Sequence, residues 1–353
     1  MPGTLGWDDD LAAAFAPFAT THLAARVARV DRSAVDIARP GWETTPQRAA
    51  IRSPHVSPAV GDWVAVAQTL GNQSDDDAGA WYVDEILPRR TAIRRADPSG
   101  RSDAHVLAAN VDVVLIATPV IPVPKPALVE RMVAIAWDCG ATPVVVVTKA
   151  DITPETDAIA ADLADAAPGV DVITVSVVAD NGLCALERYL SEGRTVCLLG
   201  RSGAGKSSLV NALVGNEVLA TADIRADGKG RHTTTHRELF VLPTGAVVID
   251  TPGLRGAGLW ASEDGLDRAF ADIDELTEGC RFSDCLHDTE PGCAVLVAIE
   301  DGRLNERRLE SWRKLQREAR WMAMRNDARL RAEARRAWVI QHKEVRRSGR
   351  IRP

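Results

Sequence analysis

At 353 residues the chain is long enough for two or three domains that each bury their own core, so it needs no disulfide framework to fold. No run of about 18 uncharged apolar residues occurs, which excludes a membrane-spanning helix. The formal net charge of −7 excludes an evenly basic nucleic-acid binder but hides an asymmetry: residues 305–353 hold 16 Lys and Arg against 6 Asp and Glu, a surplus of +10 that leaves −17 on the remainder.

The opening residues, MPGTLGWDDD, carry neither a basic leader nor an apolar signal core, and the expectation is a cytoplasmic protein with no membrane partner. Three cysteines (Cys139, Cys184, Cys197) stand singly in apolar surroundings while the other three crowd between Cys280 and Cys293, a usage that fits reduced, intracellular chemistry. A monomer is expected. Residues 1–21 form an N-terminal extension that no repeating pattern places; a frayed helix and a disordered segment both stay open.

From about residue 22 the texture turns to short alternating runs, LAARVARV, AVDIAR, GDWVAVAQ and AWYVDEIL, separated by turn-forming stretches such as RPGWETTP and GNQSDDDAG. Short strands at this spacing predict a small β-barrel over 22–97. A five-stranded oligonucleotide-binding (OB-like) barrel is the first choice, and another small all-β module would read much the same. Near residue 110 the texture changes to apolar runs alternating with helical segments: VDVVLIA, ALVERMVAIAWDCG, PVVVVTKAD, a helix over 157–166, VDVITVSV, TVCLLG and FVLPTGAVVIDTPG. Near-continuous β-branched runs between helices predict an α/β domain whose parallel sheet is buried on both faces. Beyond residue 258 the chain becomes helical and polar. It passes a Cys/His cluster and ends in a charged helix whose Leu309, Trp312, Leu315, Ala319 and Met322 form an i, i+3, i+4 stripe, so the first half of that helix should pack on something.

The strongest motif is Gly200-Arg201-Ser202-Gly203-Ala204-Gly205-Lys206-Ser207, followed by Ser208, between the strand TVCLL and a helix-compatible segment. Glycines let backbone N–H groups curl around phosphates, Lys206 can reach the β and γ oxygens, and the Ser207 hydroxyl can ligate Mg²⁺. A phosphate loop leaves the base unidentified. Thr148-Lys149-Ala150-Asp151, at the end of PVVVV, supplies it, because the Asp151 carboxylate can accept from both N1–H and N2–H₂ of guanine, a donor pair that adenine lacks. Lys149 would lie along the base plane, and Ser176 sits where a backbone N–H could read guanine O6. Asp250-Thr251-Pro252-Gly253 fits the element whose Asp holds Mg²⁺ through water and whose Gly N–H meets the γ-phosphate. Between it and the phosphate loop, Gly230-Arg231-His232-Thr233-Thr234-Thr235 occupies the place of a switch loop that lends a Thr hydroxyl to the metal. The spacing leaves open which Thr does so; Thr234 is carried forward.

The chain order is thus base-reading motif, Ser176 loop, phosphate loop, switch and D-x-x-G, a rotation of the order in ordinary small GTPases. The expected organisation is a circularly permuted GTPase domain over 98–260, a zinc-binding module over 261–303 and a basic helix and tail over 304–353. In the module, Cys280, Cys285, His287 and Cys293 supply three thiolates and an imidazole, a closed tetrahedral Zn²⁺ set with no open position for catalysis, hence structural. Fourteen of the 16 basic tail residues are Arg, whose planar fork suits phosphate and favours RNA over a merely solvated face.

With permuted order, GRSGAGKSS, GRHTTT, DTPG and C-x₄-C-x-H-x₅-C together, the chain resembles the ribosome small-subunit-dependent GTPase A family from about residue 22 to the tail. The resemblance implies an oligonucleotide-binding fold at the N-terminus, GTP hydrolysis stimulated by the small ribosomal subunit and its rRNA, and a role in late maturation of that subunit. It places guanine contacts on Thr148 to Asp151, phosphate contacts on Gly200 to Ser208, and zinc ligands on the Cys/His set. Two positions depart from general GTPase practice. Thr148 stands for the usual Asn, removing an amide that can tie base and phosphate loop together, which bears on affinity rather than specificity. Leu254 stands where many GTPases carry a water-orienting Gln. Another group must then act on water, and His232 is the candidate, slow until a partner brings the loop inward. The competing readings are a nucleotide-sensing RNA-binding switch with little hydrolysis, and a permuted GTPase of large-subunit assembly.

Overall fold

The structure is a computed structural model that describes residues 5–39, 46–53, 55–68, 80–95, 105–219, 237–251 and 261–326. Residues 5–21 of the N-terminal segment that the sequence left open are ordered. Asp8 caps helix α1 (Asp9–Phe15) by accepting from the Leu11 N–H at 2.9 Å, and Leu5 and Leu11 are buried. The Trp7 ring stands edge-on to Trp63 at 4.7 Å and to Phe15 at 6.0 Å, so this segment folds onto the barrel behind it.

That barrel is built from β1 (Leu23–Val30), β2 (Ala34–Ala38), β3 (Gln47–Ile51), β4 (Trp63–Gln68) and β5 (Trp81–Ile86). The strands pair in the order β1-β2-β3-β5-β4, and β4 returns to β1, which closes the five-stranded barrel that the alternation predicted. Alternate side chains fill it: Ala25, Val27, Val35, Ile37, Ala49, Val64, Val66 and Val83 form one closed core. The sequence did not announce β3, QRAAI, because only Ala49 of its five residues is fully buried and two others are polar.

A hairpin of β6 (Ala92–Arg95) and β7 (His105–Ala109) leads to the α/β domain. There the elements run β8 (Val113–Pro119), α2 (Pro126–Asp138), β9 (Thr142–Thr148), α3 (Thr156–Ala166), β10 (Asp171–Val175), β11 (Thr195–Leu199), α4 (Lys206–Val214), β12 (Glu238–Val241) and β13 (Val247–Asp250). The sheet order is β10-β9-β8-β11-β13-β12, parallel except for β12. On β8, Val113 and Leu115 face the core under α4 while Val114 and Ile116 face the core under α2, which is why VDVVLIA is apolar without alternation. The strand that carries the phosphate loop, β11, thus lies in mid-sheet between β8 and β13, with the three strands that precede it in this domain all on its β8 side.

Among the described residues four helices follow: α5 (Glu263–Ala269), α6 (Ala271–Thr277), α7 (Ala294–Glu300) and α8 (Glu306–Asn326). The predicted stripe of α8 is real, with Leu309, Trp312, Leu315 and Ala319 buried and Met322 half-buried. Among the described residues, no helix is long and apolar enough to cross a membrane.

Candidate nucleotide and metal sites

Parallel strands leave their carboxyl ends along one edge, and ligand sites of open α/β sheets collect there. Thr148 ends β9, Ser176 follows β10, Gly200 follows β11 and Asp250 ends β13, so the topology gathers the four motifs that the sequence scatters over 148–250. The base loop and the Ser176 loop are stitched together. The Ser176 hydroxyl donates to Asp151 Oδ1 at 2.5 Å, the Ala150 N–H donates to the Val175 carbonyl at 3.2 Å, and Ser176 and Asn181 exchange two backbone bonds of 2.9 Å. Thr156, at the start of α3, donates to the carbonyls of Ala150 and Thr153 at 3.0 and 2.9 Å. Sequence reasoning passed over Asn181 and Thr156; a Thr opening a helix five residues after Asp151 was the available signal. Lys149 takes φ +61° and burial lowers its pKa, partly offset by Asp151.

One expectation is revised by the geometry. Thr148 does tie the base loop to the phosphate loop: its buried hydroxyl donates to the Ala204 carbonyl at 2.8 Å. The strand end lies directly beside the loop, so a side chain as short as Thr reaches across.

The phosphate loop is shaped by its glycines. Gly200 takes φ +151°, and a Cβ there would lie 2.4 Å from the Ala117 carbonyl of β8, so only glycine fits. Gly203 and Gly205 take φ near +80°. Lys206 is buried and its ammonium donates to the carbonyls of Gly200 and Arg201 at 3.1 and 3.0 Å, arching back over the loop. Ala204 is buried, Gly205, Ser207 and Ser208 are half-buried, and Arg201, Ser202 and Gly203 are exposed. Burial lowers the Lys206 pKa while Asp250 pulls it back up. Burial raises the Asp250 pKa in turn, against Lys206. Asp250 Oδ1 is buried without a hydrogen-bond partner among the described residues. A carboxylate in that position can ligate a divalent cation or its water, and a second oxygen donor, the half-buried Ser207 hydroxyl, stands on the first turn of α4. His232, Thr234 and Gly253, with their neighbours Thr233, Thr235 and Leu254, lie outside the described residues.

The second site is in the C-terminal unit. Ligand atoms of Cys280, Cys285, His287 and Cys293 lie within 4.8 Å of one another. The Cys280 and Cys293 sulfurs are 3.8 Å apart, and each stands 3.5 Å from His287 Nδ1. A tetrahedron with metal–S of about 2.3 Å and metal–N of about 2.0 Å has edges of about 3.8 Å (S···S) and about 3.5 Å (S···N), so the cluster can hold a metal ion. His287 turns back toward the thiols with φ +59°, and burial lowers its pKa, which favours the neutral, ligating imidazole. The connecting loop is pinned by Glu290, whose carboxylate accepts from the N–H groups of Asp288, Leu286 and Thr289 at 2.8 to 3.0 Å. Those bonds hold its pKa down at about 2.

Part of the basic helix is spent inside the molecule. Arg308 is buried, donating to Asp272 at 2.6 Å, to Glu130 at 3.4 Å and to the carbonyls of Ala166 and Ala269 at 2.7 and 2.9 Å. Arg307 makes two 3.0 Å contacts to the same Glu130 oxygen, and Arg313 donates to the His287 carbonyl. Lys314 and Arg317 stay exposed.

A phosphate loop on the central strand, a T-K-x-D loop bonded to it from a strand that comes earlier in the chain, and a buried Asp closing the next strand define a GTP-hydrolysing P-loop domain in circularly permuted order. Residues 86–260 match the RsgA GTPase family. The small ribosomal subunit biogenesis GTPase RsgA of Streptomyces avermitilis is 48% identical over 343 residues, covering 94% of this chain and 90% of that one. Its namesake in Methanosarcina acetivorans is 37% identical, covering 97% and 92%. YjeQ from Thermotoga maritima has a similar structure, with a TM-score of 0.59 at 25% identity, covering 84% of this chain and 98% of that one. The circularly permuted GTPase YloQ shares the fold with a TM-score of 0.57 at 22% identity, covering 84% and 95%. The chain belongs to the RsgA GTPase family.

Proposed function

We propose that this protein is a cytoplasmic GTPase that binds the small ribosomal subunit, acts in its late maturation, and turns over faster when it contacts the subunit's RNA. The observation that carries the reading is the bonded pair of loops, Thr148 to Ala204 and Ser176 to Asp151, which ties the loop bearing the Asp151 carboxylate to the glycine-rich loop after β11; the relatives described above are named as small ribosomal subunit biogenesis GTPases. In this reading Asp151 selects guanine, Thr148, Lys149, Ala150 and Ser176 frame the base, and the residues from Gly200 to Ser208 wrap the phosphates. Bound Mg²⁺, held by Ser207, Thr234 and, through water, Asp250, would neutralise charge developing on the β and γ oxygens. Lys206 adds a fixed cation, Gly253 a backbone donor, and His232 orients or accepts from the attacking water.

Zn²⁺ is the ion we assign to Cys280, Cys285, His287 and Cys293, as a structural site. The units follow as a barrel over 22–97, a GTPase domain over 98–260, a zinc module over 261–303 and a basic helix and tail beyond, acting as one monomer. The rRNA contact falls to the barrel and to the basic helix and tail, through exposed positions such as Arg317 and Arg320, not to Arg307 or Arg308. Co-sedimentation with isolated subunits tests the assignment. In a non-hydrolysable GTP analogue the protein should pellet with the small subunit and not with the large one; equal binding to both would overturn it.

A further inference from the structure

Arg26, on β1, is fully buried, yet the nucleotide chemistry makes no use of it. Its neighbours Ala25 and Val27 point into the barrel, so Arg26 and Ala28 stand on the outer face, where a free-standing barrel would meet water. Here that face is covered by the N-terminal segment and the GTPase sheet, and the guanidinium reaches both as well as the barrel's own backbone. Nε donates to the Gly61 carbonyl at 3.2 Å and Nη1 to the Leu5 carbonyl. Nη2 donates to the Asn110 carbonyl at 3.3 Å and to the Thr195 hydroxyl at 2.8 Å. All four acceptors are neutral. Burial lowers the pKa of this group to about 10, with Asp112 as the largest opposing influence. A buried cation held by neutral acceptors is tolerable only while they stay in place, because no water can replace a lost partner.

The acceptors are rigid in their own right. Asn110 takes φ +55°, donates from Nδ2 to the Gly61 carbonyl at 3.1 Å and accepts from the Arg90 N–H at 3.0 Å. A Cβ on Gly61 would lie 2.3 Å from the Ala109 carbonyl, so barrel and hairpin meet backbone to backbone. Thr195 and Asp112 exchange bonds of 2.7 and 2.8 Å, which ties the start of β11 to the start of β8. From Thr195, β11 runs straight into Gly200 of the phosphate loop. The same β1 makes a second connection three residues on: after a register shift between Val27 and Arg29, Arg29 pairs with Glu238 of β12, and Glu238 pairs with Asp250. One barrel strand is therefore fixed both to the strand behind the phosphate loop and to the strand beside Asp250.

We infer that Arg26 is a positioning residue that couples the barrel to the nucleotide loops, passing nucleotide occupancy to the barrel and the load of a docked RNA partner back to the phosphate loop. The first half rests on the GTPase reading alone and the second on the ribosomal reading. Arg26→Met keeps the length and removes every donor; Thr195→Val removes one acceptor and keeps the shape, and serves if the methionine variant does not fold. Amide hydrogen exchange of the full chain is measured with and without a non-hydrolysable GTP analogue. In the unaltered protein, nucleotide should slow exchange in β1 and β4 by about fivefold or more as well as in the phosphate loop. In Arg26→Met the slowing should stop at the GTPase domain, with the analogue's Kd within about threefold, and Thr195→Val should fall between. Barrel amides that ignore nucleotide in the unaltered protein, or respond equally in both variants, overturn the inference.

Hydrolysis gives the second readout. Arg26→Met should lose about tenfold of the subunit-stimulated kcat while KM for GTP and the unstimulated kcat stay within about twofold. Full retention of stimulation, or an equal fall in both rates, contradicts the coupling. Absence of stimulation in the unaltered protein would count against the ribosomal reading, and the exchange comparison, which needs no ribosome, still decides the role of Arg26.

Discussion

Replacing Arg308 with Met separates the structural arginines of the basic helix from those free to meet RNA. The substitution removes two 2.6 Å bonds to Asp272, one weak contact to Glu130, and the donors to the Ala166 and Ala269 carbonyls. Breaking a buried ion pair by deleting one partner costs about 3–5 kcal/mol when the abandoned charge stays dry. Here the loss is softened. Glu130 keeps Arg307, and the Asp272 side chain is 31% exposed, so water can reach it. Met also refills the space over the Phe270 ring, which lies 4.6 Å from the guanidinium. What remains is two orphaned carbonyls at about 1–3 kcal/mol each, so the net expectation is about 2–6 kcal/mol of lost stability in the C-terminal unit. Hydrogen exchange of the α8 amides in rising urea reads this on the helix itself. RNA binding at a temperature where the variant is folded should keep its salt slope, whereas Arg317→Met should lower that slope by about one unit. A stability loss below about 1 kcal/mol with weakened RNA binding would place Arg308 at the RNA surface and refute the assignment.

Three further outcomes follow. Asp151→Asn should abolish the preference for GTP, since an amide can no longer accept from both guanine donors; competition binding with GTP and ATP checks it, and preserved selectivity would remove Asp151 from base reading. Cys285→Ser should release the metal and lower the melting temperature of the C-terminal unit without changing GTP affinity; metal content by elemental analysis should fall from one zinc per chain to near zero. Glu290 is held below its unfolded pKa, so its contribution to the metal loop is complete above the ordinary Glu pKa of about 4.3 and fades as pH falls toward about 2. Glu290→Gln should therefore lower the melting temperature at neutral pH and flatten its fall in acid; an unchanged acid profile would show that the carboxylate does not pin the loop.

Features whose chemistry is local were legible in sequence. The glycine spacing in 200–205 marks a loop, with Gly200 forced by the Ala117 carbonyl, and the Cys/His spacing marks a cluster whose four side chains the fold brings close enough to hold a metal ion. The parallel sheet announced itself because VDVVLIA and PVVVV are buried on both faces. Features that depend on long-range covering were not legible. Arg26 looks like an exposed strand residue until Leu5, Asn110 and Thr195 converge on it, and its acceptors leave no compositional trace because most are backbone carbonyls. Arg308 looked like part of an RNA-binding arm because charge counts do not say which face of a helix is buried. Strand β3 and the β6–β7 hairpin hid because their pairing partners, not their own side chains, make them strands. Thr148 was undervalued for the same reason, since its reach to Ala204 depends on a neighbouring strand.

The central claim is tested most directly by GTP hydrolysis of the purified protein alone, with small subunits and with large subunits, with ATP as control. Strong stimulation by the small subunit alone, confined to GTP, is the predicted result. Equal turnover in the absence of subunits, or stimulation by the large subunit instead, would contradict it.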